Sequence, residues 1–321
     1  EEFKLLKIDL EPQKPRSTEI TCTKCNGSGI MASELPNEIN AGKFPKIGVI
    51  GAGIGGVALA VACLHRGIPF VLYERDENFN SRSQGYGLTL QQASKAIKAL
   101  GIFHLNEGIV STKHLVHQIS GEIVGEWGMR KWMKTKTNDF KKKTNIHIGR
   151  QNLRAAIIKQ LGGVDIIKWN HKFLDYTTSS EGVITATFEV DNEFYTENFD
   201  ILIGADGIRS NVRKQLIPSN DIPLRYLNCM VILGICSLED LKQVATNLLD
   251  GETVFQTSNG NDRIYVMPFD ANNVMWQLSF PINEDEAKQW NLEGPTKLKQ
   301  EAFFRTKWHS PIPEIINATI E

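Results

Sequence analysis

Six consecutive residues carry the clearest chemical signal in this chain. Gly51-Ala52-Gly53-Ile54-Gly55-Gly56 fits the spacing G-x-G-x-x-G, with glycines at 51, 53 and 56. Alone the pattern is weak. Its setting makes it specific: residues 46–50 read as a short apolar strand, 57–66 as a helix and 68–73 as a second apolar strand. Gly51 permits a tight turn, Gly53 lets the backbone approach a pyrophosphate, and Gly56 lets the helix pack closely on the strand. The helix N-terminus, reached through Ile54 and Gly55 of the turn, then offers N–H groups and a positive dipole end to phosphates. Glu74 lies eighteen positions after Gly56, at the end of the second strand, where its carboxylate can accept ribose hydroxyls. The pattern predicts dinucleotide binding without separating NAD from FAD.

Positioning such a site takes a large core, and the composition allows one. The 321 residues are 41% apolar and 23% charged, close to the globular average and long enough for two domains. A net charge of −1 gives no electrostatic reason to expect nucleic acid or an acidic membrane as partner. The basic stretch 130–143 reads as a solvated loop. Residues 47–64 hold no charge and touch the length of a membrane span, but glycines at 48, 51, 53, 55 and 56 suit a turn instead, so no span is expected. Five cysteines form no disulfide framework and the first residues lack a secretory h-region, so the default is a cytoplasmic protein with reduced thiols.

Residues 1–44 read as a linker or appended segment. They contain Cys22-Thr-Lys-Cys25-Asn-Gly-Ser-Gly29, which resembles one arm of a chaperone-type zinc module. One CxxC supplies two of the four ligands that tetrahedral zinc needs, so no metal site is assigned and a flexible tail with two thiols is expected. Helices are expected at 91–100, closed by Gly101, and at 153–161. Three antiparallel strands follow at 173–178, 183–190 and 193–198, then a continuous apolar strand at 201–204 suited to a parallel sheet. Further strands are expected at 228–235, 253–256, 263–267 and 274–279.

Three more segments resemble class A flavoprotein monooxygenases of the para-hydroxybenzoate hydroxylase type. Tyr73-Glu74-Arg75 resembles that family's acid–arginine pair, which implies that Glu74 and Arg75 hold the adenosine end of FAD. His147-Ile-Gly-Arg150-Gln-Asn-Leu153-Arg154 resembles its Arg-x-x-Leu segment, whose arginine, here Arg150, contacts the ribityl–phosphate region. Gly204-Ala-Asp206-Gly207-Ile-Arg209-Ser210-Asn-Val-Arg213 resembles its DG fingerprint, associated with FAD and NAD(P)H, with a purely structural Asp206 as the competing reading. Arg82 stands where relatives place an arginine against nicotinamide nucleotide or flavin, though a solvated loop arginine explains it equally well. Trp276 and Pro281 are similar to a flavin halogenase motif, but Leu278 replaces its second tryptophan, so a core strand is expected there.

The resemblance implies an α/β fold: a split Rossmann-like FAD-binding domain at 45–215 with inserted strands, and an antiparallel β-sheet substrate domain at 216–321, formed mainly by 216–290. It also implies hydroxylation of an aromatic or polycyclic small molecule with NADPH or NADH and O2. The cofactor carries that chemistry, so no catalytic acid, base or nucleophile is named, and the scattered histidines read as core or surface residues. The family's second flavin fingerprint is missing, and the chain stops about where the approach to it begins, so a fragment lacking its C-terminal part is expected. The alternatives are an FAD-dependent reductase or dehydrogenase without oxygen transfer, and a non-catalytic FAD-binding or interaction protein.

Overall fold

A computed structural model describes residues 23–25, 29–31, 33, 38–81, 86–91, 93–128, 145–217, 221 and 223–319. Its elements begin with β1 (Ile47–Ile50), α1 (Ile54–Leu64), β2 (Phe70–Tyr73), β3 (Gly87–Leu90), α2 (Ala93–Ala99) and β4 (Ile109–Ser111). Next come β5 (Lys113–His117), β6 (Ile123–Trp127), β7 (Asn145–Gly149), α3 (Arg150–Gln160), β8 (Ile167–Lys168) and β9 (Lys172–Thr178). They continue with β10 (Ile184–Val190), β11 (Glu193–Phe199), β12 (Ile201–Gly204), α4 (Asn211–Leu216), β13 (Cys229–Ser237) and β14 (Thr253–Ser258). The last are β15 (Arg263–Pro268), β16 (Asn273–Pro281), α5 (Glu284–Glu293), α6 (Pro295–Arg305) and α7 (Ile312–Ala318).

A parallel sheet in the order β12-β1-β2-β8 forms the first layer. Its strands are nearly continuous apolar runs because both faces are covered. Alternation decides which side chain meets which neighbour. Val49 and Leu72 pack with Val57, Val61, Leu153 and Ile157 of α1 and α3. Ile50 and Tyr73 point the other way, against Phe173, Phe188 and Phe199 of the antiparallel sheet β11-β10-β9. The hairpin β10–β11 turns through Asp191 and Asn192, both at positive φ, as its tight two-residue turn requires.

The second core lies under a six-stranded sheet in the order β13-β16-β15-β14-β5-β6. One face, including Ile232, Phe255, Ile264, Trp276 and Leu278, packs on Trp290 of α5, Ala302 of α6 and Ile312, Ile315 and Ile316 of α7. A Cβ on Gly234 would lie 2.4 Å from the indole of Trp276, so a glycine at that strand position is what admits the tryptophan. Asn283 caps α5 by accepting from the Glu286 N–H, with Glu284, Asp285 and Glu286 in the first turn favouring the helix dipole. A small antiparallel sheet, β3-β7-β4, lies beside the larger one.

The composition of the large sheet departs from expectation. Four of its strands fall within 216–290, but β5 and β6 come from residues 113–127, before α3. The sheet is also mixed, because β14 pairs with β5 in parallel, His114 opposite Val254. Parallel neighbours need a long crossover; this one runs from β5 to β14, and nothing local in either segment reports it. The expected helix at 91–100 is confined to Ala93–Ala99, and that at 153–161 starts earlier, at Arg150.

Candidate active site

The glycine loop divides by function. Gly51 has φ +102°, and a Cβ there would lie 2.6 Å from the Ala205 carbonyl oxygen. A Cβ on Gly56 would lie 1.9 Å from the Gly51 carbonyl oxygen. These two glycines are therefore demanded by the packing of the chain itself. Gly53 and Gly55 differ, since a Cβ on either meets nothing within 4 Å. Gly53 is the N-cap of α1, and no side chain caps that end. The helix start thus borders open space with its first-turn N–H groups, which is the environment a phosphate requires.

Glu74 is held from three directions. Its Oε2 accepts from the Ala52 N–H at 2.9 Å, and its Oε1 from the N–H groups of Arg75 at 2.9 Å and Asp76 at 3.3 Å. Each carboxylate oxygen has two lone pairs, so capacity for a sugar hydroxyl remains. Arg154, on α3, donates from Nε to the Ala52 carbonyl at 2.7 Å and stands 3.8 Å from Glu74 Oε2. Its guanidinium lies over the rings of Phe79 and Trp169. Arg154 is buried, and it ties the glycine loop to the acid at the end of β2. The family resemblance gives this residue no role of its own. Its spacing four after Arg150, on one helix face, was the available signal.

The Asp206–Gly207 segment leaves β12 beside the same loop, with the Ala205 N–H bonded to the Ile50 carbonyl at 2.7 Å. Asp206 Oδ2 accepts from the N–H groups of Asn211 and Val212 and so caps α4. Its Oδ1 is buried and, among the described residues, has no hydrogen-bond partner. The structural role considered for Asp206 therefore accounts for one oxygen only. Gly207 adopts φ +81° with open space at its Cβ position. Arg150 begins α3, its N–H bonded to the Tyr86 carbonyl and its guanidinium 5.2 Å from the Tyr86 ring centre. Arg75 contributes its N–H to Glu74 while its side chain is exposed. Arg82 and Cys22 lie outside the described residues.

A cavity of about 620 Å³ opens between the six-stranded sheet and β3, lined among others by Leu88, His114, Trp127, Phe255, Tyr265 and Met267. The fold gathers histidines here that the sequence scatters. His114 stacks on Trp127, with ring centres 5.4 Å apart, and its Nε2 meets Ser111 Oγ at 3.1 Å. His147 lies 6.5 Å from His114, fully buried, with Nδ1 2.9 Å from the Thr89 hydroxyl. Burial, then the neighbouring His114, pushes His147 down to about 4, so its ring is neutral near pH 7. A second pair, His117 and His309, lies apart from the cavity lining, with ring centres 4.9 Å apart and His117 edge-on to Phe255. Among the described residues no group of three or more His, Cys, Asp or Glu is placed to hold a metal ion.

No protein-family model matches the chain. It is 30% identical over 192 residues to a probable FAD-dependent monooxygenase of Arthroderma benhamiae, an overlap of 57% of this chain and 42% of that protein. It is 23% identical over 288 residues to 6-hydroxynicotinate 3-monooxygenase of Pseudomonas fluorescens, covering 86% of this chain and 69% of the relative. Its relatives are FAD-dependent monooxygenases. Solved FAD-monooxygenase structures share the fold: Klebsiella pneumoniae HpxO with FAD and uric acid superposes with a TM-score of 0.68, at 20% identity over 87% of this chain and 66% of that one. For 2,6-dihydroxypyridine-3-hydroxylase from Arthrobacter nicotinovorans the TM-score is 0.70, at 15% identity over 86% and 70% of the two chains. Against the zeaxanthin epoxidases among these FAD-dependent monooxygenases the chain spans well under half of the relative's length, 32% and 40%.

Proposed function

We propose that this chain carries the FAD cradle and substrate chamber of a monooxygenase that hydroxylates an aromatic or polycyclic small molecule with NAD(P)H and O2. The observation that carries the reading is the meeting, at one edge of a parallel sheet, of an open glycine loop, the fixed Glu74 carboxylate and an Asp206 Oδ1 without a partner among the described residues. A buried acceptor without a donor is expensive, and the hydroxyls of a bound cofactor are donors. On this reading the α1 N-terminus at Ile54 and Gly55 holds the pyrophosphate, Glu74 and Arg75 the adenosine end, and Arg150, Asp206 and Gly207 the remainder. We read 45–215 as a Rossmann-like FAD-binding domain of the split type and 216–321 as its substrate domain, completed by β5 and β6. Cytoplasmic thiols and NAD(P)H suit this assignment, and no described helix is long and apolar enough to cross a membrane.

Bound FAD would supply the redox chemistry, taking a hydride from NAD(P)H and delivering oxygen from O2. The chain's own contribution is position and dryness. Val254, Met267 and Leu88 give the chamber apolar walls, and Trp127 stacked on His114 forms part of its rim. His147 keeps its proton arrangement across neutral pH and orients the Thr89 hydroxyl, which lines the chamber.

The test is reconstitution with FAD, followed by assay with NAD(P)H, isotopically labelled O2 and a set of hydroxylated aromatic rings. Flavin absorbance that stays with the protein on gel filtration, and label in the product, are the expected results. Retained flavin with hydrogen peroxide as sole product would turn the assignment to a reductase. Failure to retain FAD would remove the cradle reading altogether.

A further inference from the structure

Two histidines outside the cavity lining are held as neutral rings by their hydrogen bonds. His309, between α6 and α7, has Nδ1 2.8 Å from the Ser310 carbonyl, which can only accept, so Nδ1 carries the hydrogen. Its Nε2, 2.9 Å from Thr257 Oγ1, therefore holds a lone pair and accepts from the hydroxyl. His117, at the end of β5, shares a hydrogen bond with the Gln256 backbone that favours the protonated ring, so the ring donates and the carbonyl accepts. Its Nδ1 is buried and, among the described residues, has no hydrogen-bond partner. The donor is then Nε2, and Nδ1 is left with an unanswered lone pair. The two ring centres lie 4.9 Å apart, and His117 is only 4% exposed.

A proton arriving at His117 Nδ1 would create a buried N–H without an acceptor and a charge beside a second imidazole. Burial opposes that charge first, then His309 and Lys113 of the same strand, and together they outweigh the Gln256 carbonyl and hold the ring below the ordinary histidine value. No carboxylate is among the groups that act on it. The residues that β14 and the hairpin turn bring against the pair, Gln256, Thr257 and Gly121, are uncharged. With the folded value depressed, the pair's contribution to stability is complete above pH 6.5 and is lost as pH falls from there. The pair sits where the β5–β6 hairpin meets the rest of the molecule, because a Cβ on Gly121, in the hairpin turn, would lie 3.1 Å from the His309 Cβ. β6 ends the six-stranded sheet and pairs with β5 alone. Ile123, Val124 and Trp127 on it are about half exposed, so little burial of its own opposes local opening.

We propose that His117 and His309 form an acid-released clasp, which holds the β5–β6 hairpin against the α6–α7 loop while both rings are neutral and frees it when His117 takes a proton. The hairpin carries Trp127 to the rim of the cavity, so its release widens the entrance there. The clasp belongs to the chain's own packing and stands whether or not the cavity serves a flavin enzyme.

Hydrogen exchange of the full chain, followed by mass spectrometry from about pH 7.5 to 5.5 and corrected for the intrinsic pH dependence, reads the hairpin directly. Peptides within 118–127 should lose about fivefold or more of their protection as pH falls, while those of β10 and β11 change by less than about twofold. His117→Gln, neutral at every pH, should flatten the hairpin response. His114→Gln should keep it, because His114 lies on the cavity face of β5 and His117 on the face towards Phe255. In the native protein the midpoint of the response should coincide with the titration of the His117 ring, read from its carbon-13 shifts by NMR. A flat native response, a response that survives His117→Gln or vanishes in His114→Gln, or a midpoint apart from the His117 titration would each overturn the proposal. Should His117→Gln fail to fold, the native midpoint and the His114→Gln profile decide.

Discussion

Glycines of one motif do different jobs here, and substitution should expose the difference. Gly51→Ala places a side chain at φ +102° and 2.6 Å from the Ala205 carbonyl, so it should destabilise the fold by on the order of 3 kcal/mol in urea unfolding. Gly53→Ala meets nothing within 4 Å at φ −69°. It should change stability by no more than about 1 kcal/mol yet weaken FAD binding at least tenfold, if the pyrophosphate sits where proposed and the methyl takes its place. Equal losses of stability in the two variants would contradict this division. Arg154→Ala removes the donor to Ala52 and the cation beside Glu74, both nearly buried. A loss of about 2–4 kcal/mol is expected, since the glutamate is left desolvated without its cation. Arg154→Lys should recover only part, because an ammonium cannot span both partners while stacked on Phe79 and Trp169.

At the scale of elements, one carboxylate ties the parallel sheet to the antiparallel sheet across their shared core. Glu197, on β11, receives hydrogen bonds from Lys46, from Tyr73 of β2, from Lys168 of β8 and from Tyr195 of its own strand. Burial works against the charge, but these donors outweigh it and hold the carboxyl at about 2, below its ordinary 4.5. The sign follows from a depressed folded value: the stabilisation is complete above pH 4.5 and is lost as pH falls from there towards 2. With a side chain only 16% exposed, the contribution is on the order of 3 kcal/mol. Acid titration of stability should therefore be steep between pH 4.5 and 2. Glu197→Gln should be less stable at pH 7 and show a flatter profile over that interval. A mutant with the native slope would assign the acid sensitivity elsewhere.

Across the whole molecule, the six-stranded sheet separates two environments. Its inner face is dry core against α5, α6 and α7, anchored by the Trp276 indole N–H donating to the Thr319 hydroxyl at 2.8 Å and by Lys299 donating to the Thr319 carbonyl. Its outer face lines the cavity. Ile315→Ala, fully buried on α7, should cost about 2–5 kcal/mol in unfolding while leaving the affinity of any ligand of the outer-face cavity within about twofold of native. Loss of affinity in a folded Ile315→Ala protein would show that the two faces are coupled through the sheet. FAD at a hundred times its dissociation constant should raise stability by about 2.7 kcal/mol, read as a shift in the thermal transition.

The sequence by itself determined the βαβ unit, the tight turn at Gly51 and the close packing at Gly56, the place of Glu74 at the end of β2 and the strands β9 to β16, to within a residue or two. These are local: a glycine run between apolar runs, period-two alternation and tight turns are written in neighbouring residues. Only the tertiary structure decided that β5 and β6 join a sheet built mostly from a stretch a hundred positions later, and that His114 meets His147. It also decided that Arg154 clamps Glu74, and that the outer face of the six-stranded sheet borders a cavity. Each of these depends on which distant surfaces a crossover brings together. The direction a side chain takes within a mixed sheet is set by strand register, which no window of sequence contains.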